Sequence, residues 1–448
     1  MEHIPATNRV PVEIWEEILT LALRTWLLPG SGDNILDDFL LFSGGCESNM
    51  EYRRVESIRR RLRAVCKSWK VVVEDFDVGL TVSDLAKTTV PSESHLNRAM
   101  RIEFPSTYAC TCMRCPYKFS NHLPTALRQY LTLRHSSSPP FDSVFKPNNA
   151  RIVSLSLSHR DMAEYLQYAP RLTAFGGESS LFHDGKTLKM QSILERLTHL
   201  SVSGLSPGVM STALFLPRLR FLHLMLIERT VSGGYISLDR WELPNLTSLV
   251  LDGSIEEGET LHNDLLQFCH NHCTHIENLI IQYEGARPPS IDVHNLKQYS
   301  RLRVLGVRFR TLDPSISRVL LEKDASMPPL RLTLFLSDSS NLHMKSRRRL
   351  LSTARQCVLL CTPPISLFDK IVLAQSWNQL IYQWDTEEQQ DWEGEDFRDA
   401  RFSDVWVFFK ELRRAEVRVI DRDGLRLGEG DGLRFLERCR HSSRQMNR

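Results

Sequence analysis

An α/β fold, a short helical module followed by a solenoid of strand–helix units with parallel strands, is predicted by three observations. An apolar triplet spaced LxxLxL recurs from residue 152 onward, the pieces between triplets read as helices or turns, and the first 76 residues carry amphipathic helical spacing. The domain reading follows directly: a helical module over 9–76 with an inserted loop at about 28–56, a linking or capping region over 77–149, the solenoid over 150–340, and C-terminal repeats or a cap with a basic tail over 341–448.

Residues 10–23 place Ile14, Ile18 and Leu21 at i, i+4, i+7, beside Trp15, Leu19 and Ala22, which is the stripe of an amphipathic helix. Pro11 suits the first turn, where its missing N–H is not needed, and Glu13, Glu16 and Glu17 complement the positive end of the helix dipole. A second helical stripe runs Val55, Ile58, Leu62, Val65, Cys66, Trp69, Val72 and Val73, with Arg59, Arg60, Arg61, Arg63, Lys67 and Lys70 on its other face. That basic run reads as a solvated face, not a nucleic-acid patch. Between the stripes, Pro29 to Asp33 and Ser43 to Gly45 are turn and loop signals.

The triplets are Ile152, Leu155, Leu157; Leu197, Leu200, Val202; Leu219, Leu222, Leu224; Leu246, Leu249, Leu251; Ile276, Leu279, Ile281; and Leu302, Leu305, Val307. A degenerate member stands at Leu172 and Phe175, and Leu332, Leu334 and Leu336 begin another. Starts at 152, 172, 197, 219, 246, 276 and 302 give spacings of 20, 25, 22, 27, 30 and 26 residues, an irregular repeat. The last two apolar positions of each triplet are two apart, so on a strand they share one face, which a single strand cannot bury but stacked neighbours can. Pro170, Pro217 and Pro244 precede their triplets as lead-ins. The connecting pieces Asp161–Ala169, Pro207–Leu216, Glu259–Cys273 and Pro314–Glu322 complete each unit as helix or turn.

Composition excludes several classes. Lys+Arg 56 against Asp+Glu 54 leaves +2, which implies neither a polyanion binder nor an acidic tail protein. A hydrophobic share of 42% is enough for a core. No stretch nears the roughly 18 apolar residues of a membrane span, and Glu13, Glu16 and Glu17 interrupt the first apolar segment as no signal peptide does. A cytoplasmic or nuclear protein is therefore expected, with no membrane and no nucleic-acid partner. In that compartment the ten Cys stay thiols.

The triplets resemble leucine-rich repeats over about 190 residues, although the Asn or Cys that normally follows the last triplet position is replaced by Arg160, Leu205, Ile227, Ser254, Glu284 and Arg310. The N-terminal helices resemble an F-box, the module that docks a substrate receptor onto the SKP-type adaptor of a cullin–RING ligase. Val10-Pro11, Glu13-Ile14 and Ile18-Leu19 match its opening, and Val65-Cys66-Lys67-Ser68-Trp69 with Val72, Val73 and Phe76 match its close. Val10 stands where the family has Leu, and the 56-residue interval from Val10 to Cys66 is longer than usual.

The resemblance implies a non-enzymatic substrate-recognition subunit of an SCF-type ubiquitin ligase. Val10, Pro11, Ile14, Trp15, Ile18, Leu19, Val65, Cys66 and Trp69 would meet the adaptor, and the intervening positions Arg220, His223, Asn278, Arg303 and Arg308 would meet a protein target. The other reading is a repeat scaffold without ligase association, its helices serving only as a cap.

Neither a metal nor a cofactor is expected. Cys110, Cys112, Cys115 and His122 lack zinc-knuckle spacing, and Cys269 and Cys273 extend the apolar stripe of Leu261, Leu265 and Leu266 among His270, His272 and His275. Gly185-Lys186-Thr187 lacks a phosphate-cradling loop, and Asp421, Asp423 and Gly424 miss calcium-loop spacing. Residues 385–399 read as an acidic loop or cap segment.

Overall fold

The strand signals of the triplets become one parallel ladder per unit in the computed structural model of the chain. It describes residues 11–23, 38, 41–42, 46–74, 80–81, 101–104, 152–155, 172–178, 187–203, 213–227, 240–254, 267–284, 299–307, 332–336, 347–363, 367–378, 380–381 and 395–445. The fold is α/β with a large parallel-strand sheet, and two compact units divide it, Met1–Val202 and Ser203–Arg448.

In the first unit, helices α1 (Val12–Ala22), α2 (Cys46–Arg63) and α3 (Lys67–Glu74) precede strands β1 (Leu80–Thr81), β2 (Arg101–Phe104), β3 (Ile152–Leu155), β4 (Ala174–Glu178), helix α4 (Thr187–Leu194) and β5 (His199–Ser203). The strands lie side by side in chain order, parallel from β1 to β4. In the second unit β7 (Phe221–Ile227), β9 (Ser248–Ser254), β10 (Asn278–Glu284), β11 (Val304–Val307), β12 (Leu332–Leu336), β13 (Phe368–Leu373) and β14 (Val419–Ile420) follow one another in parallel. The short β6 (Leu214–Phe215) and β8 (Trp241–Glu242) pair separately. Leu214–Phe215 is thus a strand within the Pro207–Leu216 piece expected to be helical or turn-like.

Register aligns the apolar positions. Leu222, Leu249, Leu279, Leu305, Leu334 and Ile371 stand opposite one another, as do Leu224, Leu251, Ile281, Val307, Leu336 and Leu373. The ladder runs on into β13 and β14, beyond the boundary at 340 read from the sequence.

Strands β5, β7, β9 and β11 are each entered through a four-residue turn. Leu197 N–H donates to Leu194 O, Leu219 to Leu216, Leu246 to Leu243 and Leu302 to Tyr299, at 3.1 to 3.2 Å, and all eight side chains are buried. Pro217 and Pro244 occupy the second position of these turns, where a fixed φ near −65° is what a type I turn requires. The carbonyl after the first triplet residue then accepts two N–H groups from the next unit: Thr173 O takes Thr198 and His199, Arg220 O takes Thr247 and Ser248, Thr247 O takes Glu277 and Asn278, and Glu277 O takes Arg303 and Val304. Thr198 and Thr247 add their hydroxyls to the same carbonyls. These main-chain rungs tie each of those units to the next.

Both faces of the central strands are buried. Phe221, Val250, Ile280 and Phe335, which alternate with the triplet positions, are at most 1% exposed. Gly306 lies between Ile280 and Phe335 in register, and a Cβ there would stand 2.6 Å from Ile280 Cγ1 and 2.9 Å from Phe335 Cδ1. Gly306→Val is therefore expected to cost about 1–3 kcal/mol by overpacking, measured by denaturant unfolding of the full chain. A cost below about 0.5 kcal/mol would contradict the packing.

The C-terminal part buries an aromatic cluster between helices α5 (Arg347–Cys361), α6 (Glu395–Arg414) and α7 (Gly430–Gln445). Trp377 lies 5.9 Å from the ring of Phe409 and 5.2 Å from that of Phe435. Its indole N–H donates to Leu425 O, and its backbone N–H donates to the buried Asp421 carboxylate, whose other oxygen takes Leu425 N–H. Helix α6 begins at Glu395, so the last five residues of the 385–399 segment are helical.

Candidate functional site

The first helices build a small core and leave a second set of apolar side chains outside it. Pro11 O accepts from Ile14 and Trp15 N–H and so opens α1. Leu19 and Leu23 on α1, Val55 on α2 and Val73 on α3 are buried together, with Ile58, Leu62, Trp69 and Val72 packed against them. The Trp15 and Trp69 rings meet at 4.9 Å, tilted by 51°. At roughly 1.5–3 kcal/mol per buried aliphatic side chain, these contacts hold the helices together.

The single helix expected over Val55 to Val73 is two. Ala64 and Val65 N–H donate to Arg61 and Leu62 O three residues back, the chain turns, and Cys66 O takes Lys70 N–H to start α3. Helix α2 begins at Cys46, within the stretch expected to loop out to about residue 56.

The residues assigned to the adaptor divide by burial. Ile14 (45%), Ile18 (43%) and Val65 (54%) are exposed, as are Pro11 and Cys66; Trp15 and Trp69 are half-buried, and Leu19 is core. Val71, which the sequence did not single out, is 64% exposed. Four of the eight large exposed apolar side chains among the described residues therefore lie on these three helices or in the turn between α2 and α3. Ile14 and Ile18, one turn apart, share a face of α1. On the same helices Glu13, Glu16 and Glu17 are exposed on α1, and Arg54, Arg60, Arg61, Lys67 and Lys70 on α2 and α3. Glu56 bonds Arg59 at 2.8 Å and Arg60 at 3.3 Å, surface pairs worth a few tenths of a kcal/mol each.

The residues assigned to a target divide differently. Arg220 and Arg303 are exposed just ahead of β7 and β11, with Arg303 3.7 Å from Glu277. Asn278 is half-buried and donates to Ser248 Oγ at 2.9 Å. His223 corrects its assignment: it is 7% exposed, with Nε2 3.8 Å from Asp252, because the face it shares with Phe221 is closed. Val10, Arg308, Cys110, Cys112, Cys115 and His122 lie outside the described residues.

The histidine–cysteine group is packing. Cys269 and Cys273 are buried; Cys269 bonds Tyr299, and burial pushes its thiol up to about 12. His272 lies 4.7 Å from Phe268 and bonds the backbone of Trp241, and burial lowers its pKa. Among the described residues no three His, Cys, Asp or Glu side chains stand together as a metal site. Cys357 and Cys439 are likewise buried, with thiols raised by burial, whereas Cys66 is exposed.

Thiolates carry the reactivity of cysteine, so iodoacetamide at pH 8 is expected to label Cys66 in the native chain and to reach Cys269, Cys357 and Cys439 only on unfolding. Peptide mass mapping reads this, and labelling of Cys269 as fast as Cys66 would contradict the burial.

No family model, no curated protein and no solved structure matches this chain. Its class is defined by the fold alone: an α/β chain with a large parallel-strand sheet. No described helix is long and apolar enough to cross a membrane.

Proposed function

We propose that this chain is the substrate-recognition subunit of a cullin–RING, SCF-type ubiquitin ligase. Its N-terminal helices hold the SKP-type adaptor and its repeats hold a protein target. One observation carries the reading: the apolar residues that match the F-box pattern at Ile14, Ile18 and Val65 lie outside a core made by Leu19, Leu23, Val55 and Val73. Exposed apolar side chains concentrated on one module mark a docking surface. Such an interface has an apolar centre and a charged rim, and the Glu residues of α1 with the Arg and Lys residues of α2 and α3 supply that rim.

The chain contributes no bond-making group. Holding a target beside the charged conjugating enzyme raises the effective concentration of its lysines, and catalysis belongs to the partner complex. The test is co-elution of the full chain with purified adaptor in size-exclusion chromatography. A 1:1 complex at micromolar concentration is expected, and separate elution at tens of micromolar would overturn the reading.

A further inference from the structure

His223 and Val250 are buried on the strand faces of the second unit, so its exposed chemistry gathers where the strands begin. The residues just ahead of β7, β9, β10 and β11 stand in register. Arg220 O takes Thr247 and Ser248 N–H, Thr247 O takes Glu277 and Asn278, and Glu277 O takes Arg303 and Val304. Arg220, Thr247, Glu277 and Arg303 therefore form one row across the N-terminal ends of these parallel strands. Two residues earlier, immediately before the triplets, stand Arg218, Asn245, His275 and Arg301, and all four are exposed.

The two ends of this rim are arginine pairs. Arg218 and Arg220 lead into β7, Arg301 and Arg303 lead into β11, and every one of them is exposed. Three strand-to-strand steps of about 4.8 Å place the pairs about 14 Å apart. The fold gives no electrostatic reason for them, since sheets carry only small net dipoles. Among the described residues the one carboxylate paired with any of the four is that of Glu277, 3.7 Å from Arg303. The Arg303 side chain is 77% exposed, and so open a pair is readily exchanged for another carboxylate.

We propose, resting on the reading of the repeats as the part that holds a protein target, that this strand-entry rim is the target site. Its ligand is an extended protein segment with two acidic clusters about four residues apart. An extended chain advances about 3.3 Å per residue, so clusters at that spacing reach both arginine pairs. Each cluster meets one pair through charge-assisted hydrogen bonds, for which the planar guanidinium is shaped. Between them Asn245, Thr247, His275 and Glu277 offer polar contact without positive charge at neutral pH, and Glu277 repels a continuous run of negative charge. A nucleic-acid strand fits less well, because its phosphates would cross Glu277 and the rim carries no Phe, Tyr or Trp on which bases stack.

The probe is fluorescein-labelled Asp-Asp-Gly-Ser-Asp-Asp, whose acidic pairs start four residues apart, followed by anisotropy with the full chain at low salt. Its control has the same composition with the acids contiguous, Asp-Asp-Asp-Asp-Gly-Ser. The spaced peptide is expected to bind at least about fivefold more tightly than the contiguous one, because only it engages both pairs at once. Arg218→Gln/Arg220→Gln and Arg301→Gln/Arg303→Gln, each chain checked for folding by circular dichroism, are each expected to erase that preference. Equal affinity of the two peptides for wild type, no binding at millimolar peptide, or a preference that survives both double substitutions overturns the proposal. Tighter binding of a labelled oligothymidine strand than of the spaced peptide overturns it in favour of a nucleic-acid ligand.

Adaptor co-elution on the same chains separates the two readings. Peptide discrimination without adaptor capture keeps the rim and removes the ligase, and adaptor capture without discrimination removes the rim alone.

Discussion

Replacing Ile14 and Ile18 together by Asp is expected to abolish adaptor capture by the full chain while leaving its helical content and unfolding midpoint unchanged. Both side chains are more than 40% exposed, so the fold loses little, as is usual for surface substitutions, which stay within about 0.5 kcal/mol. At an interface the same change removes two apolar anchors, each worth roughly 1.5–3 kcal/mol, and places a charge where water is excluded. Together they remove about 3–6 kcal/mol, a loss of roughly two to four orders of magnitude in affinity. Titration of labelled adaptor against both chains reads it, and binding within threefold of wild type would remove these residues from the interface. Trp69→Ala is the weaker probe: Trp69 packs on Trp15 and on the helical core, so lost binding after that change would mix docking with unfolding.

Trp377→Ala is expected to cost about 3–5 kcal/mol, the range for truncating a buried large aromatic side chain. The indole touches Phe409 and Phe435, and its N–H satisfies Leu425 O. The turn around Asp421, with Gly424 at φ +80°, is tied to the same residue through the Trp377 backbone N–H. Loosening should therefore appear as faster amide exchange throughout α6 and α7. Exchange confined to residues 375–380, with a cost below about 1 kcal/mol, would show that the aromatic cluster holds without its centre.

The triplets were legible because their burial is enforced at every strand: a two-residue alternation tied to a hydrophobic face leaves little freedom of register. The preceding member of each unit, Leu194, Leu216, Leu243 or Tyr299, escaped because it sits three residues upstream on a turn, outside the strand period. Leu-Pro-x-Leu marks it at two places, where the proline is both the lead-in to the strand and the second residue of a turn. The N-terminal helices were recognisable from spacing, but their break at Ala64 to Cys66 was not, since the apolar stripe continues unbroken across it. His223 reads as outward-facing when the triplet leucines are given the only buried face; it is buried because the central strands are covered on both faces. The meeting of Asp38 with His199 across 161 residues of sequence was beyond any local pattern, because the partners are joined by tertiary packing alone.

The rungs formed by Thr173, Arg220, Thr247 and Glu277 have a further consequence. Four units carry such a carbonyl and four such a turn at the same place relative to the triplet, while the triplet starts themselves are spaced 20 to 30 residues apart. The chain is punctuated rather than metered. Such an array accepts lengthening or trimming of its intervening segments without losing step, so the sequence there is free to drift toward new surface chemistry while the punctuation marks stay put.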